Sequence, residues 1–228
     1  MFLVGNTAGQ VIDQQQDHMG RWVTHTMQGF NGKQVTIVSA YQVVTNSQCT
    51  GLMTVTAEQR SILTQSRDAV VEPRKAFKRN IRDLLQRLTT RGDNIILVGD
   101  FNETIDEEFN GLCKILADVS LVDLMRGRST SPYPATYAGG KHRLDFGFAL
   151  RRVATALKYA GYEAVNERFP TDHRAYFFDF DTDKLFSKST QVLAPPPLQI
   201  LQSTNVKQVT QYIREKYLQL EKCKAFRQ

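Results

Sequence analysis

Ile95-Ile96-Leu97-Val98-Gly99-Asp100-Phe101-Asn102 is the stretch on which the architecture turns. Four apolar residues in a row, rich in β-branched side chains, read as a central strand buried on both faces. The run stops at Gly99, so the strand delivers Asp100, Phe101, Asn102 and Glu103 to the edge of a sheet. Upstream, Glu72-Pro73 sets an acidic residue and a first-turn proline before a helix in which Phe77, Ile81, Leu84, Leu85 and Leu88 recur at helical spacing, and Gly92 ends it. The intervening Arg74, Lys75, Lys78, Arg79, Arg82 and Arg87 read as a solvated face in preference to a phosphate-tracking one. Thr56-Ala57-Glu58-Gln59 fits a capping box opening an earlier helix through Ile62 and Leu63. Before it, Arg21 to Met27 and Gln34 to Val44 read as two strands joined at Phe30-Asn31-Gly32-Lys33, since Asn-Gly is a strong hairpin signal. The second is partly apolar on both faces and so interior, with Tyr41 near its C-terminal end. No strand is read in the polar, Gln-rich residues before Arg21.

Downstream, a helix is expected to carry Phe109, Leu112, Cys113 and Leu116, followed by a Pro- and Gly-rich loop from Gly127 to Gly140. From Arg143 the chain alternates, with Leu144, Phe146, Phe148 and Leu150 on one face and Arg143, Asp145 and Gly147 on the other, as a strand does. Arg174 to Phe180 is a further aromatic strand, preceded at once by Thr171-Asp172-His173. Past Phe180 the character changes. Residues 181–204 read as a linker containing Pro195-Pro196-Pro197, and 205–228 as an amphipathic helix tail with Val206, Val209, Ile213, Tyr217 and Leu220 on one stripe.

The 228 residues, 41% hydrophobic and 23% charged with a mean hydropathy of -0.36, exclude wholesale disorder and can bury a sizeable core. The net charge of +6 favours an anionic partner. It is concentrated in the tail: residues 181–228 hold 8 Lys+Arg against 4 Asp+Glu, so the first 180 hold 21 against 19, only +2. Cys49, Cys113 and Cys223 match neither a disulfide framework nor a zinc site and read as free thiols in a reducing compartment. No apolar run reaches the ~20 residues of a membrane span. The expected setting is intracellular, with the nucleus open to it and no membrane partner.

Three polar clusters adjoin apolar strands: Asp100 with Asn102, Arg143 with Asp145, and Asp172 with His173. Singly, each has an ordinary explanation, a turn whose side chains bond nearby backbone or a surface Asp-His pair. In this order, however, Gly99-Asp100-Phe101-Asn102, Arg143-Leu144-Asp145-Phe146 and Thr171-Asp172-His173-Arg174 resemble the last three signature blocks of the endonuclease/exonuclease/phosphatase superfamily, and Tyr41 matches its strand-end tyrosine. The resemblance spans Trp22 to Phe180 and implies an α/β fold, the DNase I-like four-layer α/β sandwich, here missing N-terminal strands and followed by a C-terminal helical tail. It also implies divalent-metal-dependent phosphodiester hydrolysis of DNA, with Mg²⁺ or Mn²⁺ at a weak or incomplete site. Carried over, Tyr41 would face the scissile phosphate, Asp100 would orient or deprotonate the attacking water, and Asn102 would hydrogen-bond the phosphate. Asp172 would be a metal ligand, and His173 would contact a non-bridging oxygen, supported by Asp145. Such chemistry needs a cation, a charge-stabilising donor and a base for water.

The family's first two blocks, a strand-end asparagine and a metal-binding glutamate, have no counterpart upstream of Trp22, where Asp13 and Asp17 do not qualify as ligands. The expectation is therefore an N-terminally truncated copy, a gene fragment or a misplaced start codon, with impaired activity. Gln42-Val43 stands where the family has proline, and Phe146-Gly147 where it has tyrosine and an aliphatic residue. The tail resembles the connector from a retroelement endonuclease to its reverse transcriptase, which makes such a module a partner downstream in a parent element. Two alternatives stand beside the nuclease: a phosphatase of a small phosphorylated ligand, and an inactive nucleic-acid-binding remnant of a retroelement polyprotein.

Overall fold

Strand β1 (Val11–Gln16) pairs antiparallel with β2 (Trp22–Gln28), and β2 with β3 (Gln34–Tyr41). The computed structural model describes residues 11–44, 54–105, 111–128, 133–164 and 171–186, with residues 209, 210, 213 and 214. β1 corrects the reading of a strandless N-terminal stretch. Its glutamines are poor strand formers, but Gln14, Gln15 and Gln16 face water on an outer strand whose pairing rests on the backbone. The expected hairpin joins β2 and β3 through a short 3-10 turn over Phe30–Gly32, with Asn31 at φ 53 and Gly32 at φ 73.

Helix α1 (Val55–Gln65) has its N-cap two residues before the expected one, because Thr54 is the cap and accepts from Ala57 N at 3.2 Å, leaving Thr56 buried inside the first turn. Helix α2 (Pro73–Arg91) agrees with its reading: the Glu72 carboxylate caps the N–H groups of Arg74 and Lys75, and Gly92 at φ 84 closes the other end in the left-handed conformation glycine reaches without strain. Its apolar stripe, Phe77, Ile81, Leu84, Leu85 and Leu88, is buried. Next come β4 (Asn94–Asp100), α3 (Gly111–Asp118), β5 (Leu121–Asp123), β6 (Asp145–Leu150), α4 (Arg151–Ala154), β7 (Leu157–Tyr162), β8 (Tyr176–Phe180) and α5 (Thr182–Leu185).

Six strands form a mixed sheet in the order β1-β2-β3-β4-β6-β5, where β3 and β4 run parallel and the other neighbours antiparallel. The parallel step requires a crossover, which α1 and α2 supply. β7 and β8 form a second, antiparallel sheet. The two faces of β6 show how the layers stack. Phe146 and Phe148 lie against Phe101, at 6.4 and 5.9 Å between ring centroids, and Phe101 meets Phe77 of α2 at 6.5 Å, so this face packs toward the helix. On the opposite face a Cβ at Gly147 would collide with the ring of Phe178 in β8, so glycine is what lets the second sheet approach. Helix, six-stranded sheet and second sheet are thus successive layers of an α/β sandwich around one core.

The chain divides into two compact units, Met1–Thr190 and Gln191–Gln228. α5 follows Phe180 and places Leu185, 4% exposed, in the first unit's core. Phe109, residues 187–204 with their prolines, and Val206, Tyr217 and Leu220 lie outside the described residues, while Val209, Thr210, Ile213 and Arg214 are helical. Among the described residues no helix is long and apolar enough to cross a membrane.

Candidate active site

Strand register brings the predicted residues together. Tyr41 is the partner of Asp100 across β3 and β4, and Asp100 is the partner of Asp145 across β4 and β6. Three neighbouring strands therefore end in one row of polar side chains, spaced by the ~4.8 Å between strands. The expected strand from Arg143 begins at Asp145 instead, because Thr136 Oγ1 accepts from both Leu144 N (2.8 Å) and Asp145 N (3.1 Å) and draws the preceding residues into the loop. Likewise β8 begins at Tyr176, two residues after the expected start, and the segment before it delivers His173.

His173 Nδ1 lies 2.9 Å from Asp145 Oδ2, and its Nε2 faces Asp100 Oδ2 at 4.0 Å. Since a carboxylate only accepts, Nδ1 is the protonated nitrogen of this pair and Nε2 is turned toward Asp100. Burial works against a charged His173, but the Asp145 hydrogen bond and the charges of Asp145, Asp100 and Asp172 outweigh it and raise its pKa above the ordinary value. Burial also raises the pKa of Asp100, with the Asp145 charge adding to it and the Asn102 backbone N–H opposing. Asn102 sits in the left-handed region at φ 45, which asparagine tolerates, and donates to Asp100 twice, from N to Oδ1 at 2.9 Å and from Nδ2 to Oδ2 at 3.0 Å. The other Nδ2 contact is the Gln42 carbonyl at 2.8 Å. Tyr41 is 37% exposed at the rim. Asp172 is exposed, and its carbonyl accepts from Ala138 N at 2.7 Å.

Asp100, Asp145 and His173 each offer one ligand atom, all within 4.8 Å of one another. Two carboxylates suit a hard divalent cation that keeps much of its water, whereas the imidazole is already committed to Asp145. Asp172, the ligand expected from the sequence, is not in that group, although its charge acts on His173. Asp13 accepts from Gln15 at 2.8 Å, and Asp17 pairs with the buried Arg21 at 2.7 Å, so both have local work to do.

The solved structure of a 3' phosphatase from Neisseria bound to a product DNA hairpin is similar to this chain, with 20% identity, coverage of 75% of this chain and 71% of that one, and a TM-score of 0.46. An endonuclease/exonuclease/phosphatase family protein from Leptotrichia buccalis gives 18%, 75%, 60% and 0.48, so the chain spans three fifths of its length. The endonuclease domain of TRAS1, a telomere-specific non-LTR retrotransposon, gives 14%, 75%, 67% and 0.46. In structure the chain is similar to endonuclease/exonuclease/phosphatase proteins. No family model matches it, and no curated protein does.

Several supporting roles escape a reading of the sequence. Arg143, part of a recognised block, is buried, makes a bidentate pair with Asp123 at 2.5 and 2.9 Å, and lies 4.2 Å over the Phe146 ring and 4.9 Å over Tyr133. It braces Asp145 from behind through Nε to the Asp145 carbonyl at 3.3 Å. Tyr137 forms a bridge with His173, its ring centroid 5.3 Å from the imidazole. Thr136 and Tyr137 sit in a loop whose only visible signals were its prolines and glycines. Nothing in their spacing marks them.

Proposed function

We propose that the chain is a divalent-metal-dependent phosphodiesterase of the endonuclease/exonuclease/phosphatase type, acting on DNA. The observation that supports it best is the His173 imidazole set between Asp145 at 2.9 Å and Asp100 at 4.0 Å, at the end of three adjacent strands. Asp145 fixes the ring and favours its protonated form, so His173 presents a donor to a phosphate oxygen. Asp100, held by two bonds from Asn102, orients the attacking water and accepts its proton. Tyr41, next along the row, faces the phosphate from the rim. The Nδ2 group of Asn102 is divided between Gln42 and Asp100, so its donation to phosphate requires exchanging the Asp100 bond. A magnesium or manganese ion, when bound, would supply charge neutralisation on the phosphate; Asp100 and Asp145 are the oxygen donors grouped to hold it, and Asp172, outside that group, would have to move in to join them. Among partners, DNA fits a phosphodiester site of this kind, and a reverse-transcriptase module downstream belongs to the same retroelement-type reading.

Incubating the purified chain with supercoiled plasmid and Mg²⁺ tests this. Nicking that disappears in Asp100→Ala and in His173→Ala, and on chelation, is the expected result. Hydrolysis of inositol phosphates with no DNA cleavage would point to a small-ligand phosphatase instead.

A further inference from the structure

Next to the acidic row lies a polar assembly that the chemistry above does not use. Gln42 is fully buried, and it touches each of the four residues after Gly99. Its N–H donates to the Asp100 carbonyl at 2.9 Å, and Nε2 donates to the Phe101 carbonyl at 2.5 Å and to Glu103 Oε2 at 3.1 Å. Its own carbonyl accepts from Asn102 Nδ2 at 2.8 Å. Both side-chain partners are acceptors, so the amide nitrogen has to face them, and Oε1 is left buried without a hydrogen-bond partner among the described residues. An orphaned buried carbonyl is unfavourable, so the bonds made by Nε2 are what hold this orientation. Glu103 is itself anchored to α2, by Lys78 Nζ at 2.7 Å and Arg74 Nη2 at 3.1 Å, and Arg74 Nη1 reaches back to the Val43 carbonyl at 2.6 Å. The segments leaving β3 and β4 are thereby tied to each other and to one helix.

We propose that Gln42 is a positioning residue that sets where Asn102 and Asp100 stand relative to Tyr41, by clamping the turn 100–103 onto the end of β3; its effect on turnover rests on the phosphodiesterase reading. The left-handed φ of Asn102 is accessible to asparagine but not enforced by it, and residue 102 makes no ladder contact of its own. The clamp supplies that constraint from the neighbouring strand, where a proline could supply neither its N–H nor a side-chain donor.

The test uses the full chain and two readouts. Gln42→Met keeps the length of the side chain and removes both of its donors. In ¹⁵N-labelled protein, hydrogen exchange at the Asn102 backbone amide, which donates to Asp100 Oδ1, should quicken by about tenfold while Ile96 and Leu97 in β4 keep their protection. Equal acceleration everywhere, or none at Asn102, overturns the proposal. In plasmid nicking, kcat should fall about tenfold with KM unchanged, and the same change introduced into Asn102→Ala should cost nothing further. Losses that multiply in the double variant also overturn it. Should Gln42→Met fail to fold, Glu103→Gln takes its place: it keeps an acceptor for Gln42 Nε2 but loses the charge that α2 holds, and Asn102 should again exchange faster than β4. A parent chain that does not nick DNA defeats the phosphodiesterase reading, and the exchange measurement then decides the clamp by itself.

Discussion

β4 has an aspartate at each end, and the two are treated in opposite ways. Asp93, directly before the strand, is 1% exposed and surrounded by donors: Arg91 Nε and Nη2 at 2.8 and 2.5 Å and Thr36 Oγ1 at 2.5 Å, with Thr26 behind Thr36 at 3.0 Å. Its charge is cancelled where it stands. Asp100, the last residue of β4, accepts neutral donors from Asn102, with His173 Nε2 at 4.0 Å and a second carboxylate, Asp145, as its strand partner. A buried charge that is paired holds structure together, whereas a carboxylate kept beside another needs a proton, an imidazolium or a cation to settle it. On the phosphodiesterase reading, the second arrangement is the one poised for chemistry.

Exchanging the damage at the two ends is the strongest way to break that contrast. Asp100→Asn should lower nicking by about 100-fold or more, the usual contribution of a positioned base, and leave the urea midpoint nearly unchanged, because the amide keeps the shape and relieves repulsion with Asp145. Wild-type turnover in this variant would remove Asp100 from the chemistry. Asp93→Ala should do the reverse. It strips a buried pair of one partner and should destabilise the chain by about 3 kcal/mol, toward the lower end of such losses because Arg91, 38% exposed, can turn to water. Equilibrium unfolding in urea measures it.

A subtler test moves one strand outward, to Arg143 and its partner Asp123: Arg143 belongs by sequence to the chemical end and by environment to the structural one. Arg143→Lys keeps the charge but loses the planar fork and the stacking over Phe146 and Tyr133, and about 2 kcal/mol of stability should go with them. Turnover per folded molecule should fall less than in Asp100→Asn, since the backbone N–H groups of Leu144 and Asp145 each keep their bond to Thr136 Oγ1. Loss of turnover without loss of stability would mean that Arg143 meets substrate, contrary to its burial.

The same division explains what could be read in advance. α2 was legible down to its cap because Glu72-Pro73, the apolar spacing and Gly92 are all local signals. The meeting of Asp100, Asp145 and His173 was legible because a strand end brings Asp100 to the sheet edge and the ordered blocks supply the other two. β1 was hidden because an outer strand can be built from glutamines once β2 offers its backbone. Gln42, Glu103, Thr136 and Tyr137 were hidden for a related reason. Each acts through contacts dozens of residues or a whole loop away, such as Gln42 to Phe101 and Thr136 to Leu144, and no periodicity records such a meeting.

The smallest expected effect is in pH dependence, and its sign differs among the groups gathered at the Asp100 end. Folding raises the pKa of His173: burial opposes this, but Asp145, Asp100 and Asp172 prevail. Such a group adds stability that is fully present below its ordinary value of 6.5 and is lost as pH rises through the raised value. Asp100, raised chiefly by burial, acts in the same sense from about its ordinary 3.8 upward, because the folded chain holds that proton more tightly. Glu103 runs the other way. Burial alone would raise it, but the hydrogen bond from Lys78 and then that from Gln42 bring it below its ordinary 4.5, so its stabilisation is present above that value and is lost as pH falls through the lowered one. Asp145→Asn isolates the first of these. With chelator present, the NMR titration of His173 should move down toward 6.5, and the decline in stability of the parent chain above that pH should flatten. An unchanged His173 titration would mean that Asp145 does not set the charge on the ring, and the chemical end would then lose the feature that distinguishes it from a pair of ordinary acids.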